Sequence, residues 1–205
     1  MKTSKRYLNP TLFIPVLILI ILVFQNCQPD FEVIKDLKYN EYQLLNIDSN
    51  DVLFPDMIEG KVGVIGYIFT NCPDICPLTT NNMRLIQESL KSDNIEDVQF
   101  ISISFDPEVD RPSVLKKFAE IRDLDLSNWY FLTGEKNTID KLMKQVGVIA
   151  FVGDSTTFSD GSKTYYYTHT DRIQLIDREG RIRKNYSGST INVEEIVNDV
   201  KLLID

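Results

Sequence analysis

Val62-Gly63-Val64-Ile65-Gly66-Tyr67-Ile68-Phe69 runs directly into Thr70-Asn71-Cys72-Pro73-Asp74-Ile75-Cys76-Pro77. The first eight residues are apolar almost without interruption and too few for a helix. They read as a strand buried on both faces at the centre of a sheet. Behind the cysteines, Met83, Ile86 and Leu90 recur at helical spacing, and Pro77 suits a first helical turn, where its missing N–H costs nothing. A buried strand that turns straight into a helix is the opening of an α/β unit. The two cysteines stand at that turn, at the carboxyl end of the sheet, where open α/β sheets place their ligands.

The same alternation continues. Val98 to Phe105 predicts a second strand, with Ser102 and Ser104 among its apolar residues, and Asp106-Pro107-Glu108-Val109-Asp110-Arg111-Pro112 ends it. Val114, Leu115, Phe118 and Ile121 mark a helix, Trp129 to Leu132 a strand, and Ile139, Leu142, Met143 and Val146 a third helix. Gly153 to Thr164 is polar and reads as a long loop, mobile until a ligand orders it. The alternative is an ordered hairpin held by Tyr165, Tyr166 and Tyr167. Ile173 to Asp177 and Arg181 to Tyr186 flank Arg178-Glu179-Gly180 as a hairpin. Asn192 with Glu195 three positions on starts a last helix, whose apolar face is Val193, Ile196, Val197, Val200 and Ile204. Crossover units followed by an antiparallel hairpin and helix predict an α/β fold of thioredoxin-like type, with a mixed central sheet and flanking helices.

Outside this body, Lys2, Lys5 and Arg6 precede an apolar run from Leu12 to Phe24, interrupted by Pro15 and followed by Cys27. A positive segment and a short apolar run form a signal peptide or a membrane anchor; about 20 apolar residues are needed to span a bilayer. Two readings stay open: lipidation at Cys27, although Phe24-Gln25-Asn26 departs from the small residues preferred before a lipidated cysteine, or an uncleaved anchor helix. Either places the body on the extracytoplasmic (periplasmic) side of a membrane, where disulfides are permitted. The expected organisation is an address over 1–27, a tether over 28–45 and one domain over 46–205. A length of 205 residues suits one well-buried domain better than two. The net charge is −8, and the cationic leader makes the body more acidic still, which argues against nucleic acid as a partner.

The chain has three cysteines, Cys27, Cys72 and Cys76, and one histidine, His169. That is no disulfide scaffold. Cys72 and Cys76, four apart at a helix start, suit either a soft metal or a disulfide, and the helix N-terminus lowers a thiol pKa there. Two structural cysteines are the bland alternative. His169 lies just before the strand at Ile173, in the loop that a thioredoxin-like sheet brings beside the cysteine turn. Thioredoxins normally carry a cis-proline there; no proline follows Pro112 in this sequence. A third ligand facing two thiolates is the simple explanation. Cu(I) favours two thiolates and one imidazole, and Cu(II) adds a water or carboxylate. Structural zinc would need a fourth ligand such as Asp106.

These segments resemble the Sco (SenC) family of copper proteins that help assemble the dinuclear copper centre of cytochrome c oxidase. The matching pieces are Tyr67 to Pro77, Ser104 to Asp110, and Thr168-His169-Thr170 with Leu175-Ile176-Asp177 and Gly180, in family order over about 50–204. The resemblance implies a thioredoxin-like fold and copper, as Cu(I) or Cu(II), held by Cys72, Cys76 and His169. It places Asp106 and Asp110 near the site, where turn formation and helix capping compete with a functional role. It implies a metallochaperone whose partner is the copper-bearing oxidase subunit or a similar acceptor. Alternatives are a thiol–disulfide oxidoreductase, which would make it an enzyme cycling Cys72 and Cys76, or a copper or redox sensor. A peroxidase lacks support, because the reactive-cysteine context of peroxiredoxins is missing.

Overall fold

The computed structural model describes residues 31–157, 159–160 and 163–204. The apolar leader and Cys27 lie outside these residues. Among the described residues, ten strands and four α-helices follow one another, and their order fixes where the cysteine turn ends up.

The centre is as the sequence predicts. β4 (Val62–Ile68) and β5 (Val98–Ser104) are parallel neighbours, buried along their whole length, and β6 (Trp129–Thr133) extends them in parallel. Strands buried on both faces need covering layers on both sides, and the helices between them supply these. α1 (Ile75–Ser92) packs on β4 and against α4 (Val193–Ile204), while α2 (Pro112–Ile121) lies against β6. Gly66 is what lets α1 approach so closely. A Cβ there would stand 2.4 Å from the sulfur of Met83 on the buried face of α1. The two serines within β5 have partners: Ser102 accepts from the Trp129 indole at 3.0 Å, and Ser104 reaches Asp110 at 2.6 Å.

The full sheet runs β1 (Lys35–Asp36), β10 (Arg181–Tyr186), β9 (Ile173–Ile176), β4, β5, β6, β2 (Tyr42–Asn46), β3 (Asp51–Phe54) and is mixed, with antiparallel strands outside the parallel centre. β9 (Ile173–Ile176) and β10 (Arg181–Tyr186) form the expected hairpin. Its turn is held by Asp177, whose buried carboxylate accepts from Arg181 and Arg183 and from the Glu179 and Arg181 N–H groups. α3 (Lys136–Val146) closes on Gly147, which takes a positive φ of 70° as the helix ends.

Two stretches differ from expectation. Within the residues read as a tether, β1 (Lys35–Asp36) pairs with β10, and Tyr42 opens β2 (Tyr42–Asn46), which pairs with β6 and with β3 (Asp51–Phe54). Leu37 and Leu44 are core residues. Such short edge strands have too few alternating apolar positions to stand out in sequence.

The second correction concerns Gly153 to Thr164. It is not one long loop. β7 (Ala150–Thr157) and β8 (Lys163–His169) form an antiparallel hairpin, a two-stranded sheet of its own. β7 is exposed along most of its length, so the hydrophobic alternation of a half-buried strand is absent there. His169 is the last residue of a strand rather than part of a loop. Among the described residues no helix is long and apolar enough to cross a membrane.

Candidate metal centre

The turn from β4 into α1 holds two cysteines in unlike settings. Cys76, the second residue of α1, is fully buried, and its sulfur accepts the Phe69 N–H at 3.4 Å. Cys72 lies half-buried in the turn, and its sulfur accepts the Cys76 N–H at 3.3 Å. Asp74 stands at the cap position of α1 without a side-chain cap bond, so the Cys72 sulfur takes one of the donors that the helix start leaves over. Both cysteines are free thiols.

That geometry separates their acidities. Hydrogen bonding from the Cys76 thiol, which outweighs the partial burial, together with His169 and the N–H groups of Cys76 and Asp74, lowers Cys72 from 9.0 to about 4. The Cys76 thiol moves the other way, well above its ordinary range, because it donates to Cys72 and is buried, and a neighbouring thiolate opposes a second charge. One proton therefore leaves the pair readily and the other is held.

His169 arrives from the opposite side, at the end of β8. The cysteine sulfurs and a His169 ring nitrogen all lie within 4.8 Å of one another, the one cluster of metal-ligand type found among the described residues. The ring stands between Phe69, at 6.0 Å, and Phe105, at 5.0 Å between centroids. Its Nδ1 is 3.1 Å from the Thr170 carbonyl oxygen. A carbonyl only accepts, so Nδ1 carries a proton, which leaves the other ring nitrogen to donate to the Cys72 thiolate in the metal-free site and to bind a metal once it has lost that proton. Burial disfavours a charged ring, but Cys72, the Thr170 carbonyl and Asp171 outweigh it, and the His169 pKa is raised.

The two aspartates near the turn after β5 do not join this cluster. Both are buried, and their oxygens are occupied. Asp110 accepts from the Thr70 N–H at 3.0 Å, from the Thr70 hydroxyl and from Ser104 at 2.6 Å. Burial nevertheless raises its pKa, against the pull of those hydrogen bonds. Thr70 lies two residues ahead of Cys72, so Asp110 fixes the cysteine turn. Asp106 accepts the Tyr165 hydroxyl at 2.6 Å and the Tyr167 hydroxyl at 3.4 Å. The zinc alternative, with Asp106 as fourth ligand, has no support in this arrangement.

Sequence reasoning passed over a further carboxylate, Asp171. It accepts from Ser187 at 2.9 Å, from Ser189 N–H at 3.0 Å and Oγ at 2.6 Å, and from Thr79 at 3.4 Å. It thus ties the segment after His169 to α1, one turn beyond Cys76. Gly188 makes room for this knot: a Cβ there would stand 2.4 Å from Asp171 Oδ1 and 2.6 Å from the Thr79 hydroxyl. Nothing in the sequence pairs these distant residues. The hairpin face, by contrast, had a signal in the alternation of Tyr165, Tyr167 and His169.

Comparison with known proteins places this geometry in context. The SCO1/SenC family model matches residues 34–205. The SCO1 protein homolog of Bacillus subtilis is 34% identical over 157 residues, which are 76% of this chain and 77% of that protein. The crystal structure of a SCO1/SenC family lipoprotein from Bacillus anthracis aligns with a TM-score of 0.69 at 33% identity, covering 85% of this chain and all of the other. ScoI of Bradyrhizobium japonicum, solved with copper bound, aligns with a TM-score of 0.68 at 27% identity over 80% of this chain and 98% of that one.

Proposed function

The chain belongs to the SCO1/SenC family, and on that premise we propose that it carries copper as cargo on Cys72, Cys76 and His169 and delivers it to an acceptor during assembly of the dinuclear copper centre of cytochrome c oxidase. The observation that carries the reading is the convergence of two sulfurs and one imidazole nitrogen within 4.8 Å. Two soft thiolates with one neutral imidazole suit Cu(I) without a fourth protein ligand. Copper bound in the Bradyrhizobium relative supports the same cargo here.

Release by ligand exchange starts at Cys72. Its sulfur is half-buried, whereas that of Cys76 is closed off by the core and the Phe69 N–H. An incoming acceptor thiolate displaces Cys72 first, and Cys76 gives up the metal last. The body works on the extracytoplasmic side, tethered through a lipid on Cys27 after the residues ahead of it are removed. The lipoprotein from Bacillus anthracis supports this mode of attachment.

A second reading rests on the unequal thiols. Cys72, ionised at neutral pH, attacks an acceptor disulfide to give a mixed disulfide, and Cys76, once deprotonated, resolves it. The acceptor leaves reduced and the Cys72–Cys76 pair becomes the disulfide. His169 separates the two readings. Reduced wild-type chain is expected to hold about one copper per chain. His169→Ala weakens copper retention while leaving disulfide reduction in place, and Cys72→Ser with Cys76→Ser abolishes both. Stoichiometric, tightly held copper in the double serine variant would sink the copper reading.

A further inference from the structure

Tyr165, Tyr167 and His169 occupy alternate positions of β8 and therefore share one of its faces. Tyr166, on the other face, is half exposed. The shared face is turned to the body. The Tyr167 ring meets Phe69 and Phe105 edge-on, each at 5.2 Å, and these are the two rings that flank His169. No strand of the hairpin pairs with the eight-stranded sheet. Side chains, not backbone ladders, hold its inner face in place.

Asp106 is the polar half of that attachment. It ends β5 with 2% of its surface exposed, and among the described residues its carboxylate is met by hydroxyls rather than by a cation. A buried carboxylate without donors is costly, so Tyr165 and Tyr167 satisfy it and are held by it in turn. Two anchor points along one strand fix both its position and its rotation about its own axis. The same turn carries Asp110, whose N–H donates to the Asp106 carbonyl at 2.8 Å and whose carboxylate grips Thr70 ahead of Cys72. One short turn thus holds the cysteine side of the site through Asp110 and the histidine side through Asp106.

We propose that Asp106 is a positioning residue: through the hydroxyls of Tyr165 and Tyr167 it latches the β7–β8 hairpin to the body and so sets where His169 stands relative to Cys72 and Cys76. The proposal rests on the reading of His169 as a ligand. When the latch opens, the hairpin carries His169 away and leaves a two-thiolate site.

The test uses the reduced, metal-free full chain in four forms: wild type, Tyr165→Phe with Tyr167→Phe, Asp106→Asn, and Tyr166→Phe as a control on the outer face. Hydrogen exchange is followed along β7 and β8. Loss of a charge-assisted hydrogen bond from the closed state raises exchange there about ten-fold or more in the double phenylalanine variant, with β4 and β5 unchanged. Tyr166→Phe stays at the wild-type rate. The phenylalanine pair keeps both rings, so it tests the hydroxyls even if Asp106→Asn folds poorly. After loading with Cu(II), the nitrogen hyperfine signature of His169 weakens in the latch variants while the sulfur-to-copper charge-transfer band persists. Hairpin exchange within about two-fold of wild type in the double variant overturns the latch, whatever copper does. Absence of an imidazole signature from wild type itself overturns the ligand reading instead, while faster exchange in the variants would still support the hairpin attachment.

Discussion

Alkylation of the two site thiols as a function of pH reads the asymmetry of the centre directly. An ordinary thiol with a pKa of 9.0 is about 1% thiolate at pH 7, whereas Cys72, lowered to about 4, is almost wholly ionised there. The gain in reactive form is about one hundred-fold. It does not become a hundred-fold faster reaction, because nucleophilicity falls with basicity: at a Brønsted slope of about 0.4 to 0.5, five units of pKa cost a factor of about 100 to 300. The two effects nearly cancel at pH 7. The signature is therefore the shape of the profile. Between pH 7 and pH 5 the rate at Cys72 stays within about two-fold, while that of an ordinary thiol drops about one hundred-fold. Cys76, buried and held protonated by its neighbour, stays unlabelled until Cys72 is modified or the fold opens. The assay is iodoacetamide labelling of the reduced, metal-free chain from pH 4 to 9, with peptides containing Cys27, Cys72 and Cys76 quantified separately by mass spectrometry. In His169→Ala the Cys72 inflection moves upward, since one of the donors that stabilise the thiolate is gone. An inflection for Cys72 near 8 to 9, or labelling of Cys76 ahead of Cys72, would refute the assignment of the first proton lost to Cys72.

Three further outcomes are expected. Asp110→Ala strands the Thr70 N–H and the Ser104 hydroxyl and costs about 2–4 kcal/mol, while Asp110→Asn, which still accepts and donates there, costs about 1 kcal/mol in denaturant unfolding. Because the folded-state pKa of Asp110 is raised, the folded chain binds its proton more tightly than the unfolded chain does. Its contribution to stability is greatest below the ordinary value of 3.8 and declines as pH rises through the folded value, so the gap between wild type and Asp110→Asn narrows from pH 4 to pH 7; a gap that widened would contradict this. Gly188→Ala drives a methyl group into Asp171 and Thr79 and lowers stability by about 1–3 kcal/mol, read as a fall in melting temperature that a surface glycine substitution would not produce. Cys27→Ala leaves an unprocessed precursor that takes up no labelled fatty acid, whereas processing like that of wild type would argue for attachment without lipid.

The convergence of the candidate ligands was legible in the sequence, because few residues could supply such a cluster. A single histidine and a closely spaced cysteine pair at the end of an apolar run left almost no other choice. The parallel centre was legible as well: full burial of β4 and β5 forces continuous apolar runs, and these survive in sequence as local patterns. Strands that bury little are different. β1 and β2 rest on a few contacts such as Leu37 and Leu44, and β7 is exposed along most of its length, so no window of residues announces them, whereas β8 leaves only the alternation of Tyr165, Tyr167 and His169. The polar scaffold was the least legible part. Asp106 with Tyr165, Asp110 with Thr70, and Asp171 with Thr79 and Ser189 are partners across 18 to 92 residues of chain. A hydrogen bond depends on distance and angle in space and leaves no periodic trace along the chain. Sequence thus determined which residues supply the atoms that converge at the candidate centre, through residue type and local burial. The tertiary fold alone decided which groups hold them at that meeting point and which thiol loses its proton first, because electrostatics and desolvation act through space.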